Sequence, residues 1–459
     1  MTPRAADTGE RLLVELPFPA VLPRLASSEL ELRNLAARAG AGEAELTVTL
    51  LDAPDHRLIR SGVLLAHRVA DGAGDWYLSL PGWVRGKRTA PADEQITPLD
   101  GEGELTLAFR TAVQPFLRHG TLGPVAALTV ESIDYALRDL SGATLGVLRD
   151  EKVTIRRAGL TTARYREVTL TTPPGAPLAP ERRAWLVESL ALVGATEVTE
   201  FPSLVRRVGA PATGPSDFPD PSDIDPGTTA GLVTQVVAAG LRDLVRSLAA
   251  EPGSGEAPDP SATLADRLGA LGPALDPEWT GDVVNALRGW SADGALPVPE
   301  AAAETTERRL VVLDRLVAAV RTPPLVAGVE SDPRRLLSRL QADAVEEVRE
   351  RCGRAHIHGD DGAWDGAATA VTDATAVVRL AAEIGVPKSR KRLKRLARLR
   401  EQLERCRDPY VVEFRARAAA DPDTAFELGR EYERHRQRIE QARRVVVDDW
   451  DDWSARLGR

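Results

Sequence analysis

LDAPDHRLIRSGVLLAHRVADGAGDWYLSLP, from Leu51 to Pro81, is the stretch on which the reading of this chain turns. It opens on a short acidic, proline-containing piece (Asp52, Pro54, Asp55) and continues through an apolar run broken by Gly62 to Leu65 and Arg68. DGAGD then makes a turn-like break, after which Trp76, Leu78 and Leu80 alternate up to Pro81.

The same alternation surrounds this stretch. ELTVTL (Glu45 to Leu50), ELTLAF (Glu104 to Phe109), VAALTVESIDYAL (Val125 to Leu137), TLGVLRDEKVTIRR (Thr144 to Arg157) and YREVTLTT (Tyr165 to Thr172) each place apolar residues at period two. AGAGE, DGEGE and DLSG are the breaks between them. An antiparallel, mostly β half is therefore expected over residues 1–208, with a helix from Pro180 to Val193 stopped by Gly194. GAPATGPSDFPDPSDIDPGT, residues 209–228, is too rich in proline and glycine for a regular element and reads as a linker. Beyond it, Leu232, Val233, Val236, Val237, Leu241, Leu244, Val245 and Leu248 recur on one helical stripe. Helical patterns follow over Thr306 to Val320, Arg334 to Cys352, Trp364 to Ile384, Ser389 to Ala419 and Asp423 to Trp453, so residues 229–459 are expected to be all-helical. The fold class is an α+β multidomain chain, β first and helices second.

Composition sets limits on function. The 459 residues carry 59 basic and 68 acidic side chains, a formal charge of −9, which argues against general nucleic-acid binding. No apolar run approaches a membrane span, and the start of the sequence has no long apolar leader, so a cytoplasmic protein is expected. Cys352 and Cys406 stand apart without metal-type spacing and read as small buried residues. No Walker-type, dinucleotide-binding or nucleophile-elbow motif is present.

The stretch from Leu51 to Pro81 resembles the signature hairpin of the CYTH domain, the triphosphate tunnel family, through Asp52, Pro54, Asp55, Leu58, Gly62, Leu65, Arg68, Trp76, Leu78, Leu80 and Pro81. It departs at Ala66, where the family has an arginine, and at Ser79, where it has a lysine. The order of segments in the second half is similar to the CHAD domain, a helical module associated with polyphosphate. RLVVLDRLVAAVRTPPL, the basic segment ending in a turn with Asp408, and the Phe426, Leu428, Gly429, Arg430 closing motif carry this likeness.

Holding a triphosphate needs converging cations, and cleaving it also needs carboxylates for divalent metal ions. The family's ExExK strand, placed on GERLLVEL, matches only at Glu10, with Thr8 and Leu12 at the other two positions. A second register, ELELR, offers Glu29, Glu31 and Arg33 at period two on one strand face. In the family's final Glu-x-Glu-x-Glu strand Glu167 remains, while Thr169 and Thr171 replace the others. TVESIDYAL contributes Glu131 and Asp134 where the family has arginines, and the Asp-x-Val turn corresponds to Asp150, Glu151 and Val153. In the helical half, Arg379 stands largely alone in a segment that is basic in the family.

The exception is Lys388 to Arg407, with ten cations against Glu401 and Glu404. Lys388, Arg390, Lys391, Arg392, Lys394, Arg395 and Arg398 form its densest part, over a stripe of Leu393, Leu396, Leu399, Leu403 and Cys406. One further cluster, His356, His358, Asp360 and Asp361, reads either as a transition-metal site or as a polar turn with a helix cap. The expected function is polyphosphate or triphosphate binding, or scaffolding, by a protein eroded at its catalytic positions and requiring no cofactor. The alternative is a triphosphatase dependent on Mg or Mn, using Glu10 or the Glu29 and Glu31 pair with Arg68 and Glu167.

Overall fold

The computed structural model describes residues 9–38, 44–85, 93–98, 104–249, 259–292, 299–407 and 425–457. The chain divides into two compact units: Met1–Asp217 with Leu248–Glu251, and Phe218–Ser247 with Pro252–Arg459. Asp408, expected in the turn after the basic helix, lies outside the described residues.

The first unit is an antiparallel sheet. Its strands are β1 (Arg11–Leu16), β2 (Ala36–Ala37), β3 (Ala44–Asp52), β4 (Leu64–Ala70), β5 (Ala73–Leu80), β6 (Asp93–Pro98), β7 (Gly123–Arg138), β8 (Thr144–Arg157), β9 (Leu160–Thr171) and β10 (Thr196–Val198). They run in the order β10-β1-β9-β8-β7-β3-β4-β5-β6, with β2 also on β7. Four helices belong to this unit: α1 (Arg57–Arg60), α2 (Leu107–Leu117), α3 (Pro180–Ala191) and α4 (Leu204–Val208).

One expected strand is a helix. ELTLAF does not pair; Thr106 accepts a hydrogen bond from the Phe109 amide and starts α2 instead. Its apolar residues continue as Val113 and Phe116, a spacing that buries one face of a helix and cannot be met by a six-residue strand. The helix α3 ends two residues before its expected end, and Gly194 follows at φ 85°, where a Cβ would be strained.

Strand parity separates two packed faces. Leu12 and Leu148 both lie opposite Leu170, and Val14 opposite Val168. These side chains are buried with Leu186 and Leu190 of α3. On the other face Leu50, Ala66, Ala126, Leu128, Val153 and Ile155 join one cluster with Val208 and Ala212. That cluster draws on six strands, β3, β4, β5, β7, β8 and β9, as in a sheet that curls round a filling. The filling is α4 and the residues after it. Residues 209–217, expected as the first part of a linker, belong to this unit, with Ala212 and Asp217 each 1% exposed.

The second unit is helical, as expected. It contains α5 (Thr229–Ala249), α6 (Pro260–Leu271), α7 (Pro277–Ala292), α8 (Pro299–Arg321), α9 (Pro333–His358), α10 (Asp361–Glu383), α11 (Ser389–Arg405), α12 (Ala425–Asp448) and α13 (Trp450–Leu457). The stripe from Leu232 to Val245 on α5 is buried throughout. A core of Val348, Cys352, Trp364, Val371, Leu396, Leu399, Leu403 and Cys406 joins α9, α10 and α11. No described helix is long and apolar enough to cross a membrane.

Both cysteines are free and buried, and burial pushes their thiols up, Cys352 to about 12 and Cys406 to about 11. A thiolate is the reactive species. An aromatic disulfide reagent at mildly alkaline pH should therefore modify neither thiol in the folded chain and both in denaturant; rapid native-state reaction would place them at the surface.

Candidate functional site

The signature stretch builds a corner. Asp52, at the end of β3 and fully buried, accepts hydrogen bonds from the amides of Ala53 (2.6 Å), Leu58 (2.9 Å) and Ile59 (2.9 Å). It thereby holds the first turn of α1. Burial pushes its carboxyl above the ordinary range although three amides act against it. Asp55 binds Arg57 at 3.0 Å and Arg60 at 3.3 Å, which hold its carboxyl below the usual range. Arg60 also reaches Asp217 at 3.5 Å, and Arg118 meets the same carboxylate at 2.5 Å. Burial, and after it the charge of Arg157, push the His56 imidazole down.

Register places the charges. Glu15 on β1 lies opposite Glu167 on β9, and Glu167 opposite Glu151 on β8, so three carboxylates share a row on the face that α4 fills. Arg207 of α4 donates through Nη2 to Glu15 and to Glu167, the latter at 3.0 Å. Its guanidinium lies 4.1 Å from the centre of the Tyr165 ring. Burial pushes Glu167 up despite Arg207, and Glu151 and Glu15 push the same way. The Tyr165 hydroxyl is pushed to about 12, first by burial and then by Glu167. Nearby, Arg149 reaches Asp134 at 3.4 Å and Glu151 at 3.5 Å. Arg68 forms two bonds to Asp75, at 2.8 and 3.1 Å, over the Tyr77 ring. Ala66 and Ser79, which stand where the resemblance implies cations, are 1% and 4% exposed.

The expected carboxylate sets do not assemble. Glu10 binds Arg183 at 3.2 Å and accepts from the Leu178 amide at 3.3 Å, away from Glu167. Parity is the reason: Leu12, Val14 and Leu16 are buried against α3, so even-numbered Glu10 goes with them and odd-numbered Glu15 faces Glu167. Glu29 and Glu31 are exposed and lie in a turn between the bridged residues Ser27 and Leu32, not on a strand. Glu31 adopts φ 54° and pairs with Arg182 at 3.3 Å. Arg68 and Glu167 share a face, yet each is held by a different partner. Asp150, from the expected Asp-x-Val turn, is buried on the opposite face against Arg166 at 2.7 and 2.6 Å. Glu15 is the residue that sequence pattern alone passed over, and Glu151, read only as part of the Asp-x-Val turn, is the member of that set which joins the row.

In the helical unit Asp360 caps α10 through the Ala363 amide, at 2.6 Å, and Asp361 binds Arg436 and Arg443. Those carboxylates are committed, and among the described residues no group of three potential ligands could hold a metal ion. The basic helix α11 differs along its length. Toward its C-terminus Arg400, Arg405 and Arg407 pair with Glu404, Glu401 and Asp365. In its first half Lys388, Arg390, Lys391, Lys394 and Arg398 are exposed and make no ion pair with any described residue. Arg392 and Arg395 are half-buried. Burial, then the charges of Arg349 and Arg395, push the Arg392 guanidinium down. The Nε atoms of Arg392 and of Arg349, a residue of α9, are buried without a hydrogen-bond partner. Arg349 was not in the expected set because its proximity to α11 is a tertiary fact.

No protein-family model and no curated protein matches the chain. Two solved structures are similar to part of it. One is a candidate adenylate cyclase from Bacillus halodurans, with TM-score 0.24 and 13% identity over 38% of this chain and 86% of that one. The other is a candidate adenylyl cyclase from Hippeastrum described as having a dominant triphosphatase activity, with TM-score 0.23 and 14% identity over 43% of this chain and 92% of that one. Neither likeness is close enough to assign an activity.

Asp52→Ala should leave three buried amides without an acceptor and lower stability by roughly 3 kcal/mol, read as a shift of the urea midpoint; an unchanged midpoint would remove Asp52 from the corner. The raised Glu167 gives a second expectation. A carboxyl raised in the folded state contributes most below the ordinary carboxylate range, and that contribution is lost as pH climbs through the folded value. Glu167→Gln should flatten the corresponding fall in stability between the carboxylate range and neutrality, whereas an identical pH profile would contradict the burial argument.

Proposed function

We propose that this is a CYTH-like and CHAD-like protein that binds phosphate chains, polyphosphate among them, without cleaving them, and that the first half of α11 is where they bind. The observation that carries the reading is the contrast between two sets of cations. On the filled face of the sheet Arg68, Arg149 and Arg207 are each held by acids, so none is left to grip phosphate. On α11 Lys388, Arg390, Lys391, Lys394 and Arg398 have no acidic partners among the described residues, and the Arg392 guanidinium is crowded by like charge. A polyanion relieves that crowding through charge-assisted hydrogen bonds, strongest where Arg349 and Arg392 have buried Nε groups unmatched. Exposed contacts are screened over about 8 Å at physiological salt, so binding weakens as salt rises.

The same reading explains why hydrolysis is not expected. A metal-dependent triphosphatase needs free carboxylates for the metal, and two of the three in the row are joined to Arg207. In the proposed role the sheet unit serves as a scaffold and the helical unit as the binding part.

Replacing Lys391, Lys394 and Arg398 together by Ala should weaken polyphosphate binding by about tenfold or more, measured by titration at fixed salt. Triphosphate with Mg or Mn should release no phosphate, with or without Glu167→Ala. Turnover that Glu167→Ala abolishes would establish the triphosphatase instead, and unchanged affinity in the triple variant would remove the α11 site.

A further inference from the structure

We infer that the acidic row of the sheet is a guanidinium-binding site, and that its ligand is the chain's own Arg207. The site has the chemistry that distinguishes a guanidinium from other cations. Two carboxylates, Glu15 and Glu167, accept from the same Nη2, and the Tyr165 ring lies 4.1 Å from the guanidinium carbon. A flat, weakly hydrated guanidinium can stack its face on the ring while its edge meets the carboxylates; an ammonium can approach the ring but does not stack and is more strongly hydrated, and a hydrated divalent ion satisfies only the charge. The third acid, Glu151, is already met by Arg149 at 3.5 Å, which leaves Glu15 and Glu167 to share a single positive charge.

The delivery of Arg207 is built into the fold. Ser203 caps α4 through the Arg206 amide, and Val208, the next residue after Arg207, is 4% exposed in the sheet's own cluster. Four residues on, Ala212 is buried in the same cluster. Arg157 donates to the Ala210 carbonyl at 2.7 Å, and Asp217 closes the segment between Arg118 and Arg60. Arg207 is therefore held from both sides over its acids. The Arg207 side chain keeps 18% of its surface exposed, so a slot left by its removal opens to solvent.

Filling this row from within also determines what the face excludes. A triphosphate meets carboxylates whose cations among the described residues, Arg207 and Arg149, are already engaged, and a metal ion must displace a guanidinium that the backbone holds in place. This inference is independent of the α11 reading, because no residue of the helical unit enters it.

Chemical rescue tests it. Arg207→Ala should lower the melting temperature, and millimolar ethylguanidinium should restore at least half of the loss while leaving the unsubstituted protein unchanged. Ethylammonium and magnesium chloride at matched ionic strength should not restore it, and Glu167→Gln in the same background should abolish the rescue. If the alanine variant does not fold, Arg207→Met, which keeps the apolar stem among its neighbours, takes its place. Equal rescue by ethylammonium or magnesium would make the row a general cation site, and no rescue in a folded variant would reduce Arg207 to a structural contact; either result overturns the proposal. Polyphosphate titration of the same variants should be unaffected, which separates a failure here from a failure of the phosphate site.

Discussion

A single guanidinium shared by Glu15 and Glu167 makes it possible to bury the second face of the sheet. Antiparallel register sets these two carboxylates side by side, and burying Glu167 next to Glu15 without a counter-charge would be unfavourable. Arg207 answers that cost, and the chain segment that carries it brings Val208 and Ala212 to cover the neighbouring apolar side chains. Charge neutralisation and core formation are thus one event on this face. The corner at Asp217, with Arg60 and Arg118, holds the same segment at its far end.

The two units handle positive charge in opposite ways. In the sheet unit cations sit beside acids on facing strands, and burial makes each pair depend on both members. At the start of α11 Lys388, Arg390, Lys391, Lys394 and Arg398 stay exposed on a helix whose leucines are buried, so the fold tolerates these five without requiring an acidic partner among the described residues. Charges that folding does not consume remain available to a ligand. That difference, rather than the number of arginines in either unit, points the phosphate reading to α11.

Much of this organisation is legible in the residues because it follows local periodicity. Period two marks β3, β7, β8 and β9, and the 3.6 period marks α5, α9 and α10. The failures share a cause, which is that the deciding contact lies outside the short segment being read. ELTLAF alternates over six residues, yet Val113 and Phe116 beyond it commit the run to α2. Glu10 matches a motif by spacing, but the apolar face of β1 follows the other parity choice and takes Glu10 away from Glu167. Residues 209–217 have the composition of a linker, and nothing local shows that Asp217 finds Arg118 across 99 positions. Of the candidate site, the α11 cations are readable from their own segment, whereas Arg207, Glu15 and Arg349 become partners only through tertiary structure.

The signature stretch itself now has a physical meaning that is separate from catalysis. Its residues serve the corner and the sheet: Asp52 holds three amides, Leu58, Leu65, Leu78 and Leu80 are buried, and Gly62 adopts φ 80° beside Pro81. Ala66 and Ser79, 1% and 4% exposed, lie on the face that α4 fills, where a lysine or arginine would have to be buried beside the cluster that contains Leu50, Ala126 and Ile59. Once α4 occupies that face, small side chains at these two positions are what packing demands. Small side chains at Ala66 and Ser79 and the segment carrying Arg207 therefore meet one packing requirement, and Asp52 holds its corner through backbone amides whether or not a ligand ever enters the sheet.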